Sequence, residues 1–126
     1  MILAFVVAAL SGLQLDPLDA VVAAPENHVV ILENDRVRVL RVTVQPGETE
    51  APHVHRWSSV MHIQSAQPLV DILYERGEDG LAEVRRTPLP PGPPPEALWF
   101  PPEGPHAIYN AGDGVFRAIR IELKSD

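Results

Sequence analysis

The sequence of 126 residues is long enough for one domain and too short for two, and its 45% apolar and 21% charged residues exclude disorder along the whole chain. Ten basic residues against 17 acidic ones give a net charge of −7, so we expect no nucleic-acid partner. Because the chain has no cysteine, disulfides, thiolate zinc sites and a cysteine nucleophile are excluded, and any metal must be bound by nitrogen and oxygen atoms.

The N-terminal segment, residues 1–15, is apolar and carries no charged side chain. It is interpreted either as an N-terminal extension or as a signal segment. As a signal peptide it lacks a preceding Lys or Arg, and the small residues at 22–24 that resemble a cleavage site are followed by proline. It is too short to span a membrane, which takes about 20 apolar residues. These features favour a cytoplasmic location, with a secreted or periplasmic one as the alternative if residues 1–24 are a signal peptide.

After this segment, the sequence predicts one short helix followed by strands. Asp16 can cap a helix that begins at Pro17 and ends before Pro25. The 14 prolines and 8 glycines then favour many short strands, and a slip in the alternation at Leu40-Arg41 predicts a β-bulge. The predicted strands are residues 28–33, 36–44, 54–63, 69–74, 81–87, 97–100, 106–109 and 115–123. This spacing is typical of a barrel or a sandwich.

The five histidines are the residues that point most clearly to chemistry, and two of them, His53 and His55, are one residue apart. Residues i and i+2 of a strand point to the same face, so the two imidazoles are expected side by side. Two neutral imidazoles on an inner face suit a divalent metal ion. The alternative is that both rings are only solvated or hydrogen-bonded, because the pair alone lacks a second ligand cluster.

Two stretches of the chain resemble the paired motifs of the cupin superfamily. In residues 47–55 a glycine is followed, after five intervening residues, by His-x-His, and in residues 102–110 Pro-x-Gly precedes a histidine that an asparagine follows four residues on. The resemblance covers about residues 28–123, within a predicted single cupin domain of residues 16–126. It implies a small single-domain cupin, an all-β antiparallel jelly-roll β-barrel, here with a short N-terminal helix.

By this resemblance, His53, His55 and His106 are the ligands of one divalent metal ion inside the barrel. Fe, Mn, Ni, Zn and Cu all remain candidates for this ion. Three neutral imidazoles leave the ion its full charge and open positions, which favours anionic or bidentate oxygen ligands.

The carboxylate that usually completes the cupin metal site is missing from this sequence. Ser59 or Val60 stands where the family has glutamate, and no acid follows before Asp71. We therefore predict a vacant ligand position at Ser59. The alternative fourth ligand is His62, although strand alternation places that side chain on the outer face.

The remaining candidate residues are given weaker roles. His28 begins a strand just beyond a proline and is expected at the surface rather than in the site. Trp57 and Trp99 flank the two motifs and are expected mainly in the core. Tyr109 and Asn110 adjoin the second motif's histidine, and they either hydrogen-bond the site or serve as a packed ring and a turn residue.

Together, these features predict a small metal-binding cupin. The leading interpretation is an enzyme that acts on a small oxygenated or anionic molecule through the three-histidine site, with dioxygenase, isomerase or lyase chemistry. The alternative is a non-catalytic cupin that binds or senses a ligand and has a degenerate metal site. A homodimer is also expected, because an isolated small β-domain leaves sheet edges to protect.

Overall fold

The computed structural model describes residues 15–90 and 92–125. The predicted apolar segment, residues 1–15, lies outside this part of the chain except for Leu15, so its interpretation stays a prediction. Within the described ranges, the elements are α1 (Ala20–Ala23), β1 (His28–Glu33), β2 (Val37–Val44), β3 (His53–His55), β4 (Ser59–Ser65), β5 (Leu69–Gly77), β6 (Gly80–Pro88), β7 (Leu98–Phe100), β8 (Glu103–Asn110) and β9 (Phe116–Leu123). None of the helices in these ranges has the length and apolar character needed to span a membrane.

The strands form two antiparallel sheets, and the chain passes between them several times. One sheet has the order β1-β2-β9-β4-β7 and the other the order β3-β8-β5-β6. Inward-facing apolar side chains of the larger sheet form the core, namely Leu40, Val42, Val44, Met61, Phe116 and Ala118. The predicted all-β antiparallel jelly roll with a short N-terminal helix is confirmed.

The helix starts later than predicted, at Ala20 rather than Pro17. Asp19, not Asp16, is the N-cap, and its side chain accepts a hydrogen bond from the backbone N–H of Val21. Asp16 instead accepts from the N–H two residues on, which stabilises a turn before the helix. Either aspartate can cap by residue type, so composition alone did not separate them.

The predicted bulge at Leu40-Arg41 is wrong, because β2 pairs with β9 in regular register over its whole length. The extra residue lies on the neighbouring strand β1, between Val30 and Leu32. The prediction failed because it placed Arg38 on the solvent side, whereas that side chain is buried. With Arg38 facing inward, the inward alternation along β2 needs no slip. The predicted strand 54–63 is likewise divided into β3 and β4.

The buried Arg38 belongs to an ion cluster that joins three distant segments. Its Nε lies 2.5 Å from an Oε of Glu122 on β9, and its Nη2 lies 3.0 Å from an Oδ of Asp19 at the start of α1. The backbone N–H of Val54 also donates to the carbonyl of Leu18, at 2.7 Å. The short helix is therefore an integral part of the barrel wall beside β3.

Candidate metal centre

Three histidines marked by the sequence lie on the inner face of the four-stranded sheet. β3 and β8 pair antiparallel, and His53 lies directly opposite His106. His55 is two residues further along β3, opposite Glu103. All three residues are buried: His53 and His55 are each 1% exposed, and His106 is 4% exposed. The centres of the His53 and His106 rings are 4.6 Å apart. The two motifs thus bring their histidines together.

A fourth histidine, His28, joins this group, and its predicted surface position is wrong. It is the first residue of β1 and is 4% exposed. Its ring centre lies 4.4 Å from that of His53 and 5.3 Å from that of His55. The chain folds back between α1 and β1, and this turn points the side chain inward. The rest of β1 is exposed, so no local pattern marked His28 as buried.

All four rings are held in the same way, with Nδ1 at a hydrogen-bond acceptor. The acceptors are the carbonyls of Ala24, Ala51 and Gly104 for His28, His53 and His106, and a carboxylate oxygen of Glu122 for His55, at 2.8–3.0 Å. These oxygens accept hydrogen bonds, so Nδ1–H donates and Nε2 keeps its lone pair. Each ring therefore offers Nε2 as a free ligand atom.

Burial keeps the imidazoles of His28, His53 and His55 neutral, and neutral imidazole is the form that binds a metal ion. Burial lowers the pKa of His28 to about 4, and burial and the neighbouring histidines lower the pKa of His53 still further. Burial, aided by the positive charge of Arg120, also holds the pKa of His55 well below its ordinary value. These rings are thus neutral ligands at physiological pH.

Two overlapping sets of side chains place their ligand atoms within 4.8 Å of one another. The first set is His28, His53 and His55, and the second is His55, Glu103 and His106. The three predicted ligands are therefore divided between the two sets, and His55 belongs to both. The first set adds His28, and the second adds Glu103. Neutral imidazoles with a carboxylate at the margin are a donor set that fits a divalent first-row ion.

Two carboxylates that sequence reasoning missed lie beside the rings. Glu50 has its oxygens 3.6 Å from Nε2 of His28 and 3.8 Å from Nε2 of His53, and burial raises its pKa to about 8. Glu103 lies 3.8 Å from Nε2 of His106. Each glutamate precedes a motif histidine by three residues, a signal that a search confined to residues after the His pair could not find.

Ser59, which stands at the position of the missing motif glutamate, is fully buried, and its hydroxyl has no hydrogen-bond partner within the described ranges. The vacant ligand position predicted there stays a prediction. His62 is exposed on the outer side of β4, and its Nδ1 lies 2.7 Å from the carbonyl of Glu96, so the outer-face prediction for His62 is confirmed.

The other candidates lie away from the rings. The core prediction is wrong for Trp99, which is 60% exposed because Leu98 and Phe100 on either side of it pack against the core. Trp57 is half-buried under the guanidinium of Arg38, 5.1 Å away. Asn110 is a turn residue, since its side chain donates to two carbonyls and accepts from the N–H of Gly112. Tyr109 is half-buried on β8.

No family model and no curated protein matches the chain. Solved structures do match. A cupin domain from Bordetella pertussis Tohama I is 23% identical, covers 78% of this chain and 92% of its own, and has a TM-score of 0.56. A cupin superfamily protein from Desulfitobacterium hafniense DCB-2 is 20% identical over 78% of this chain and 76% of its own, with a TM-score of 0.48. The Bordetella structure, which is matched over most of both chains, shows that this chain has the cupin fold implied by its two histidine motifs.

Proposed function

We propose that this protein is a metal-binding cupin that holds one divalent ion through His53, His55 and His106, with His28 as a further nitrogen donor. The observation that carries the proposal is the convergence of four buried imidazoles whose Nδ1 atoms are anchored and whose Nε2 atoms are free. Fe, Mn, Ni, Zn and Cu are all compatible with such donors.

We infer that the protein is an enzyme acting on a small oxygenated or anionic molecule. A bound ion would polarise the oxygen atoms of such a molecule or, if redox-active, support dioxygenase chemistry, while isomerase and lyase reactions need only the polarisation. The chain's own residues keep the rings fixed, neutral and shielded from water. Turnover separates this function from the alternative, a cupin that only binds or senses its ligand.

Metal titration of protein purified without a nickel column tests the proposal. We expect one ion per chain. His106→Ala should weaken metal binding by at least about 100-fold, because removing a residue that only hydrogen-bonds a metal ligand already lowers metal affinity about 10–100-fold. His62→Ala is the matched control, because His62 is an exposed histidine outside the cluster. Wild-type protein that takes up no ion, or a His106→Ala variant that binds like wild type, would overturn the metal site.

The role of His28 has its own test. X-ray absorption of the zinc-loaded protein should show one fewer nitrogen neighbour in His28→Ala than in wild type. The variant should still bind zinc, because the motif histidines remain. An unchanged nitrogen count would remove His28 from the ligand set, and the carboxylate of Glu103 would then be the next donor to test.

We also propose that the protein is a homodimer formed through the edge strand β1. β1 ends the five-stranded sheet, and its consecutive residues Val29, Val30, Ile31 and Leu32 are each 40–52% exposed. Within residues 15–90 and 92–125 no strand pairs with the outer edge of β1, and an edge with a run of exposed apolar side chains is covered well by the same strand of a second copy. Light scattering should give a dimer mass for wild type and a monomer mass for Val30→Lys/Leu32→Lys. A monomeric wild type at high concentration would contradict this.

A further inference from the structure

Two buried polar atoms on the inner face of the barrel have no partner in the described part of the chain. They are the hydroxyl of Ser59 on β4 and Nε of Arg120 on β9. Ser59 is fully buried, and Arg120 is 4% exposed. A buried donor without an acceptor is costly, so these two atoms point to an oxygen-bearing ligand that is bound between them.

Both atoms lie beside the histidine cluster. In the β4–β9 register Ser59 is opposite Glu122, whose carboxylate holds His55, and Met61 is opposite Arg120. Ser59 and Arg120 are therefore diagonal neighbours on the same inner face. The Nη2 of Arg120 donates to Glu103, the carboxylate 3.8 Å from His106. The two unpartnered donors are thus each one carboxylate away from the cluster, Ser59 beside Glu122 and Arg120 beside Glu103.

The charge pattern favours an anion at this point. Arg38, the other buried arginine of the larger sheet, has two carboxylate partners, whereas Arg120 has one within the described ranges. Glu103 shows that the Arg120 guanidinium takes a carboxylate in this environment, and a guanidinium offers several N–H donors in one plane. A groove of about 350 Å³ at the surface is lined in part by Glu103, the carboxylate partner of Arg120, and by His106, whereas Ser59 and Arg120 do not line it.

We propose that Arg120 and Ser59 bind the carboxylate group of a small organic acid, which has its other oxygen atoms at the histidine cluster. Arg120 supplies the charge and a directed N–H, and Ser59 supplies a hydroxyl donor in the position left open by the missing motif glutamate. The contact of the other oxygen atoms with the histidine cluster rests on the proposed metal site, whereas the contact of the carboxylate with Arg120 and Ser59 does not.

Binding of small acids to the Co²⁺-loaded protein tests the assignment, with the cobalt absorption spectrum and calorimetry as readouts. The probes are acetate, pyruvate and malonate, with methyl pyruvate as the uncharged analogue of pyruvate and inorganic phosphate as a different anion. Pyruvate should bind at least about 10-fold more tightly than methyl pyruvate, because the ester removes the charged hydrogen bonds. Cobalt content is measured in parallel for every protein.

Variants of Arg120 distinguish a requirement for the guanidinium group from a requirement for any positive charge. Arg120→Lys and Arg120→Gln should each raise the Kd of pyruvate by at least about 10-fold, and Ser59→Ala by roughly 3-fold or more, with one cobalt ion per chain retained. Arg117→Gln, an exposed position on the same strand, is the matched control and should bind pyruvate like wild type.

Three results would overturn the inference: wild type that binds none of the three acids, Arg120→Lys that binds pyruvate like wild type, or phosphate or methyl pyruvate binding as tightly as pyruvate. If the wild type takes up no metal, the proposed function fails, and the carboxylate site is tested by itself through thermal stabilisation of the metal-free protein by pyruvate. Stabilisation that is lost in Arg120→Lys supports the site, and no stabilisation overturns it.

Discussion

Replacing Ser59 by glutamate should make the protein hold its metal ion more tightly and make the metal-free protein less stable. Ser59 is fully buried on the inner face, so the new carboxylate adds charge attraction to a divalent ion. Without the ion, the same carboxylate is buried opposite that of Glu122, and Arg120, which already pairs with Glu103, offsets only part of the repulsion. We expect metal loss to a chelator to slow at least about 10-fold, and the metal-free variant to lose roughly 1–3 kcal/mol of unfolding free energy, typical of a buried polar group that is paired only in part.

Gln64→Glu is the matched control for this change, because Gln64 is exposed on the same strand. It should alter neither chelator resistance nor stability beyond about 0.5 kcal/mol. Turnover of an acid substrate should fall in Ser59→Glu, since the new side chain occupies the space next to Arg120. Unchanged metal retention in Ser59→Glu, combined with loss of metal binding in His62→Ala, would identify His62 as the missing ligand.

Replacing Arg38 by methionine should cost about 3–5 kcal/mol of unfolding free energy, because it leaves Asp19 and Glu122 buried without their positive partner. Methionine keeps much of the side-chain volume, so the loss reports mainly on charge. The same variant should weaken metal binding by roughly 10-fold, since Glu122 also positions His55. Urea unfolding and metal titration measure the two effects.

Arg41→Met, an exposed arginine on the same strand, is the control for Arg38→Met. It should change stability by no more than about 0.5 kcal/mol. If both variants unfold at the same urea concentration, the ion cluster does not hold α1 to the barrel. A stability loss without any change in metal affinity would separate the cluster from the orientation of His55.

Local patterns in the sequence were sufficient for the strands and for the motif histidines. An apolar run within residues 28–33 and alternation in residues 115–123 predicted strands close to their observed bounds, and His-x-His placed His53 and His55 on one face. Contacts between distant segments could not be found in this way. His28 reaches the site through the turn after α1, and Arg38 is buried only because Glu122, 84 residues away, accepts its Nε–H. The sequence of one strand does not show such a distant partner. An arginine in it is therefore predicted to face solvent, because arginine is rarely buried without a partner.

The dependence of His55 on Glu122 also determines when the metal centre can form. The residue that orients His55 is on β9, the last strand of the barrel, and the same residue binds Arg38 on β2. During synthesis, most of the chain emerges before this strand, and pairings of such long sequence separation form late in folding. We therefore expect His55 to be oriented in one of the final steps of assembly, and uptake of the proposed metal ion would then follow folding of the barrel instead of guiding it.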